Sequence, residues 1–166
     1  MKFLTTLLIF ILGSQIVFSQ DKLPSLELFD IDGNKINVAT YGENGKITVF
    51  NFWATWCTPC KKELNNIADL YEDWQADYNV EIIAVSIDDS KTTANVKSYV
   101  NGQSWDYSVL LDVNKDLHRM LNGQTVPFTV IVDQNGVIIE KRSGYIEGDE
   151  YILEDMLKEL SEKSNK

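Results

Sequence analysis

Cysteine and histidine are nearly absent from this chain of 166 residues: there are two of the first, Cys57 and Cys60, and one of the second, His118. Two cysteines cannot build the multi-bridge framework that staples a small secreted scaffold, and with a single histidine they cannot fill a tetrahedral zinc site. No metal centre and no resident cofactor is therefore expected. Positive charge is also scarce, 15 Lys+Arg against 25 Asp+Glu, for a net charge of −10. Nucleic acid is excluded as a partner because its binding rests on a basic patch, and an anionic membrane surface is disfavoured for the same reason. Past residue 20 there are no repeats, low-complexity tracts or Pro/Gly/Ser-rich linkers, so a single domain is expected. What is present, 44% hydrophobic and 24% charged residues, is the balance of a soluble globular protein.

A long apolar run occurs once. Lys2 precedes the apolar residues 3–12 and then Gly13-Ser14-Gln15, the n-region and h-region of a secretory signal. Val17 and Ser19 suit positions −3 and −1 of a cleavage site, which divides the chain into a signal peptide, 1–19, and a domain, 20–166. A membrane span needs about 20 apolar residues, and this run is broken by Gly, Ser and Gln, so no stable membrane insertion is expected after cleavage. No cysteine follows that could carry a lipoprotein anchor. The expected location is extracytoplasmic, in the periplasm, where thiols are not kept reduced by default.

Residues 26–38 alternate around Asp32-Gly33, the pattern of a small hairpin. Residues 47–53 are nearly all apolar or β-branched, as in a strand buried on both faces. Leu64, Ile67, Ala68, Tyr71, Trp74 and Tyr78 then recur at spacings of three and four, predicting one amphipathic helix that starts near Pro59. Residues 80–87 predict a second buried strand, and Asp88-Asp89-Ser90 offers cap chemistry to a helix carrying Val96, Tyr99 and Val100. A short strand at 107–111 and a helix over 112–121, closed by Asn122-Gly123, come next. Gln134-Asn135-Gly136 joins strands 126–132 and 137–142, and 149 to about 163 read as a final helix with an acidic start whose end frays over 161–166. Strands alternating with helices call for an α/β fold with a central sheet covered on both faces, and the closing hairpin makes that sheet mixed.

The chemistry lies in Trp53-Ala54-Thr55-Trp56-Cys57-Thr58-Pro59-Cys60. Two cysteines three apart on the first turn of a helix can close a disulfide within that turn, and the helix N-terminus stabilises a thiolate on the leading one. That ordering makes Cys57 the exposed nucleophile and Cys60 the buried resolving thiol of a dithiol/disulfide exchange. Pro59 presets the first helical φ.

This motif, the following Glu63, the segment Thr125-Val126-Pro127-Phe128-Thr129, the leader and the first hairpin together resemble the thioredoxin superfamily. Within it the match is to TlpA/ResA-like extracytoplasmic thiol-disulfide oxidoreductases, over nearly all of 20–166. The resemblance implies a thioredoxin-like fold with an extra N-terminal β-hairpin. It further implies that Pro127 is cis and faces the cysteines, that the backbone of Val126 pairs with substrate, and that Trp56, Thr58 and Pro59 complete the docking surface. The implied activity is reduction of disulfide-containing exported proteins, with cytochrome c maturation one use and a membrane electron donor of the DsbD/CcdA type as second partner. Thioredoxins carry a buried Asp where this chain has Asn51. ResA-like members place a functional acid at the end of the next strand, where Asp89 stands with Asp88 beside it, so Glu63 and Asp89 are the candidates for proton transfer or tuning. Asn65 replaces a proline common in the family.

Blander roles stand beside these. The cysteines could form a structural disulfide, Glu63 could be a first-turn acid, and Asp88 and Asp89 could be helix caps. Trp53 could be core, and His118 reads as a surface residue. Haem attachment needs a histidine where Lys61 stands. A peroxiredoxin-like peroxidase needs Thr where Ala54 stands, and a Sco-like copper module needs a wider cysteine pair and a distant histidine.

Overall fold

Every residue of strand β3 (Ile47–Trp53) is buried, so both faces of the sheet at this strand are covered. The computed structural model describes residues 21–164, and the leader assigned to 1–19 lies outside the described residues. Around β3 stand β1 (Glu27–Asp30), β2 (Lys35–Asn37), β4 (Val80–Ser86), β5 (Ser108–Leu111), β6 (Phe128–Val132) and β7 (Ile138–Ser143). The helices are α1 (Thr58–Ala68), α2 (Tyr71–Tyr78), α3 (Ala94–Asn101), α4 (Asp116–Met120) and α5 (Asp149–Ser164). The strands form one mixed sheet in the order β2-β1-β5-β4-β3-β6-β7. β3, β4 and β5 run parallel, while β6 lies antiparallel to β3 and the N-terminal hairpin adds antiparallel to β5. This is the α/β sandwich with an extra hairpin that the sequence predicts.

The topology places the chemistry. Parallel pairing aligns the C-terminal ends of β3 and β4, Trp53 opposite Ser86. Antiparallel pairing brings the N-terminal end of β6 to the same edge, Phe128 opposite Phe52. Three loops, 54–57, 87–89 and 123–127, thus converge where a sheet of this kind receives ligands.

Several boundaries differ from the sequence reading. The single helix expected from Pro59 is two: at Asp69-Leu70 the ladder tightens to a Leu70 N–H bond onto the Ile67 carbonyl, 3.0 Å, and α2 restarts. The apolar stripe survives the break, since Tyr71 and Trp74 are buried and Tyr78 is half-buried. The helix expected from residue 112 begins at Asp116, because Lys115 takes a left-handed backbone, φ 59°. Asp112 is instead its anchor: the buried carboxylate accepts from the N–H groups of Asp116 (2.7 Å), Leu117 (3.3 Å) and His118 (2.9 Å). β6 starts after Pro127, which has no N–H for the ladder. α5 continues to Ser164 rather than fraying from 161.

Gly136 illustrates how tightly the second hairpin is held. It has φ +77°, and a Cβ there would stand 2.6 Å from the Gly42 carbonyl oxygen. At Gly33, φ +87° in the first hairpin, a Cβ would meet nothing within 4 Å among the described residues. Gly33→Ala should cost only the left-handed backbone, about 1 kcal/mol, whereas Gly136→Ala should cost clearly more by adding the backbone collision. Denaturant unfolding of the two variants checks the order.

Candidate active site

Cys57 ends the turn that follows β3 and is the N-cap of α1, with Pro59 in the first turn. Its N–H bonds to the Ala54 carbonyl, 3.0 Å, and its own carbonyl accepts the first helical bond from Lys61, 3.2 Å. Cys57 and Cys60 are joined in a disulfide with Cα atoms 5.4 Å apart. Cys60 is fully buried and Cys57 is 6% exposed. The leading cysteine is therefore the more accessible of the two, yet far less open in the oxidised protein than the exposed nucleophile the sequence suggests. Trp56 beside it is 58% exposed, and Thr58 and Pro59 are also exposed.

Glu63 follows Cys60 by three residues on α1, which places both on one helix face. It is buried, and its Oε1 accepts from the Thr129 hydroxyl at 3.2 Å, which in turn accepts from Asn51 Nδ2 at 3.2 Å. Asn51 and Thr129 face each other across β3 and β6. Burial pushes the Glu63 carboxyl up to about 7, against hydrogen bonds from Asn51 and Thr129 that favour the charged form. Asp149 adds a small upward push and Arg142 a small downward one. A cavity of about 10 Å³ lies against Glu63 between Thr129, Arg142 and Asp149, near the lower limit for one water.

The two acids after β4 have separate fates. Asp88 is buried and binds the turn before Cys57: it accepts from Thr55 N (2.8 Å), Thr55 Oγ1 (2.6 Å) and Ser86 Oγ (2.8 Å). It is no helix cap but a clamp between the end of β4 and the cysteine turn. Asp89 is exposed, and its carboxylate accepts from the N–H groups of Lys91 (2.9 Å) and Thr92 (3.2 Å). Those bonds, the Lys91 N–H first, hold it below the usual carboxylate range. The dipeptide carries no signal for which acid turns inward; the end of β4 decides it.

Pro127 is buried and joined to Val126 by a cis peptide bond. Its carbonyl accepts from Gly144 N at 2.8 Å, and half-buried Val126 shares a groove with Trp56. His118, expected on the surface, is 5% exposed. Its ring packs against Phe52 and Phe128, with centroids at 5.3 and 5.5 Å. With Nε2 bearing the proton it donates to the Thr125 carbonyl, 3.3 Å, and so braces the loop leading to Pro127. Burial holds the ring below its usual pKa. Gly123 is required here, because any Cβ would enter the His118 ring.

A family model described as the AhpC/TSA family matches residues 19–141. The thiol-disulfide oxidoreductase ResA of Bacillus thuringiensis subsp. konkukian is 30% identical over 138 residues, 83% of this chain and 76% of that protein. ResA of Bacillus subtilis is 27% identical over 132 residues, covering 80% and 71%. Among solved structures, a thioredoxin-like protein from Porphyromonas gingivalis is 39% identical with a TM-score of 0.76, over 85% of this chain and 92% of that one. The thiol:disulfide interchange protein DsbE from Chlorobium tepidum reaches a TM-score of 0.73 at 19% identity, covering 86% and 96%, a likeness of fold.

Two expectations follow from the buried acids. The unfolded Glu63 carboxyl titrates near 4.5 and the folded one near 7, so between those values the folded state holds the extra proton and stability falls as pH rises. Relative to Glu63→Gln, the oxidised wild type should lose on the order of 3 kcal/mol between pH 4 and pH 8, read from denaturant unfolding at both pH values. Asp88→Ala should lower the unfolding free energy by roughly 2–3 kcal/mol, since it leaves the Thr55 N–H without its partner; the same assay measures it.

Proposed function

We propose, from the premise that this chain belongs to the AhpC/TSA family and is a thiol-disulfide oxidoreductase, that it works as a reductase of exported proteins. The observation that carries the reading is the closed Cys57–Cys60 pair at the head of α1, at the same sheet edge as the Val126–Pro127 loop, in a chain 30% identical to a ResA.

In the reduced protein the helix N-terminus favours a thiolate on Cys57. Cys57 attacks one sulfur of a client disulfide: a Cys57–client bond forms, the client bond breaks, and the other client sulfur leaves as a thiolate that takes up a proton. Glu63, one turn along from Cys60 and poised near neutrality, accepts the Cys60 proton. The Cys60 thiolate then attacks the Cys57 sulfur and expels the second client thiol. The client has gained two electrons and two protons, and the protein is left with the disulfide described above. Val126 offers its backbone to the client, and Trp56, Thr58 and Pro59 form the rim; their exposure supports that role. Asp89, held in its own turn, takes no part.

Two electrons from a membrane thiol donor of the DsbD/CcdA type return the pair to the dithiol. The leader over 1–19 supports a periplasmic site of action, and cytochrome c maturation is the route on which such clients arise. The tight cysteine pair, with the single histidine wedged between Phe52 and Phe128, supports exchange over copper binding.

Cys57→Ser should abolish turnover, and Cys60→Ser should accumulate client mixed disulfides on non-reducing gels. Full activity in both variants would sink the mechanism. Equilibration in dithiothreitol or glutathione buffers should place the pair near the thioredoxin end of the scale, about −270 mV; a value near about −120 mV would make the protein an oxidant.

A further inference from the structure

A groove of about 540 Å³ opens beside the cysteines, between the loop before Pro127 and α4. Its lining includes the apolar Trp56, Ile87 and Val126, the cations Lys115 and Arg119, and the buried His118. Among the described residues no acidic side chain lines it, although the chain carries a net charge of −10. The groove thus presents two cations on a protein of net negative charge, with Trp56, the neighbour of Cys57, in its lining.

Its two cations differ in availability. Lys115 sits in the left-handed position before α4 and has no acidic partner within ion-pair distance among the described residues. Arg119 donates to the Asn114 carbonyl at 2.7 Å and to Asp116 at 2.6 Å, but that ion pair is largely solvent-exposed. Exposed pairs of this kind are held weakly and exchange readily. Burial first and Lys115 last disfavour the charged form of His118, against the Thr125 carbonyl and Asp112, and hold its pKa below the usual value.

We propose that this groove makes the protein select clients with a carboxylate side chain next to the reacting disulfide, Lys115 with Arg119 receiving the carboxylate. The proposal rests on the oxidoreductase reading above. An extended client segment whose cysteine reaches Cys57 lays an apolar neighbour on Trp56 and Val126 and an acidic neighbour on Lys115. A basic neighbour meets Lys115 as a like charge, which is the repulsive element that specificity requires. The occupant is polypeptide because the groove leads directly from Val126, whose backbone is the client's proposed partner.

The test uses the reduced protein and two synthetic peptides, each closed by one intramolecular disulfide and identical except for Glu or Lys flanking the cysteines. Second-order rate constants for peptide reduction are measured by acid quench, with hydroxyethyl disulfide as an uncharged reference on the same protein. The Glu/Lys rate ratio should fall about tenfold in K115N/R119Q, as it does for rim charges that steer association. Asn tolerates the left-handed position, so the variant keeps the backbone of the loop. K115R/R119K should retain the ratio, and raising the salt from about 0.05 M to 0.5 M should shrink it in the wild type. An unchanged ratio in K115N/R119Q, or one that K115R/R119K also loses, would overturn the proposal. No reaction of the wild type with hydroxyethyl disulfide would overturn instead the oxidoreductase reading beneath it.

Discussion

The register of β3 between β4 and β6 is the constraint on which the rest depends. It places Trp53 opposite Ser86 and Phe52 opposite Phe128, so that the cysteine turn, the Asp88 clamp and the Pro127 loop meet at one edge. The same register sets Asn51 opposite Thr129, which gives Glu63 its hydrogen-bonded partner. Because side chains alternate along a strand, a slip of one residue would turn Asn51 and Thr129 away from Glu63 and expose Phe50 and Phe52 to the wrong face.

That geometry is bought with polar atoms left under-satisfied in the interior. Among the described residues Asn51 Oδ1 and Glu63 Oε2 are buried with no hydrogen-bond partner, and each such atom costs on the order of 1–3 kcal/mol. Trp53 and Trp74 in the core each keep a buried indole N–H without a partner as well, whereas the carboxylates of Asp88 and Asp112 are engaged. Glu63 is thus a buried acid raised toward neutrality by burial, three residues after Cys60 on α1. The opposite polarity rules at the surface, where a helix N-terminus and the cationic groove lie beside Cys57 on an otherwise acidic protein.

Much of the fold was legible because its signals are local. The apolar runs of β3 and β4, the Asp32-Gly33 and Asn135-Gly136 turns and the acidic start of α5 each act over a few residues. The break at Asp69-Leu70 was not legible: no Pro or Gly marks it, and the apolar stripe runs through it unbroken. His118 misled because its short helix is mostly polar around it. Only packing between Phe52 on β3 and Phe128 on β6, with Gly123 making room, draws the ring inward.

The sequence by itself determined the redox pair, the helix that carries it, the α/β class and the Pro127 segment, because each is written in residues close together along the chain. Which of the two candidate acids is buried was decided by tertiary structure, Glu63 inside and Asp89 exposed. Glu63 and Asp89 are equivalent candidates on paper. Their burial depends on contacts with Thr129, which lies 66 residues from Glu63, and on the direction of the chain as it leaves β4. The groove likewise exists only when α4 and the loop at 123–127 are folded against Trp56, since charge and apolar surface distant in sequence become one surface only through the sheet that joins them.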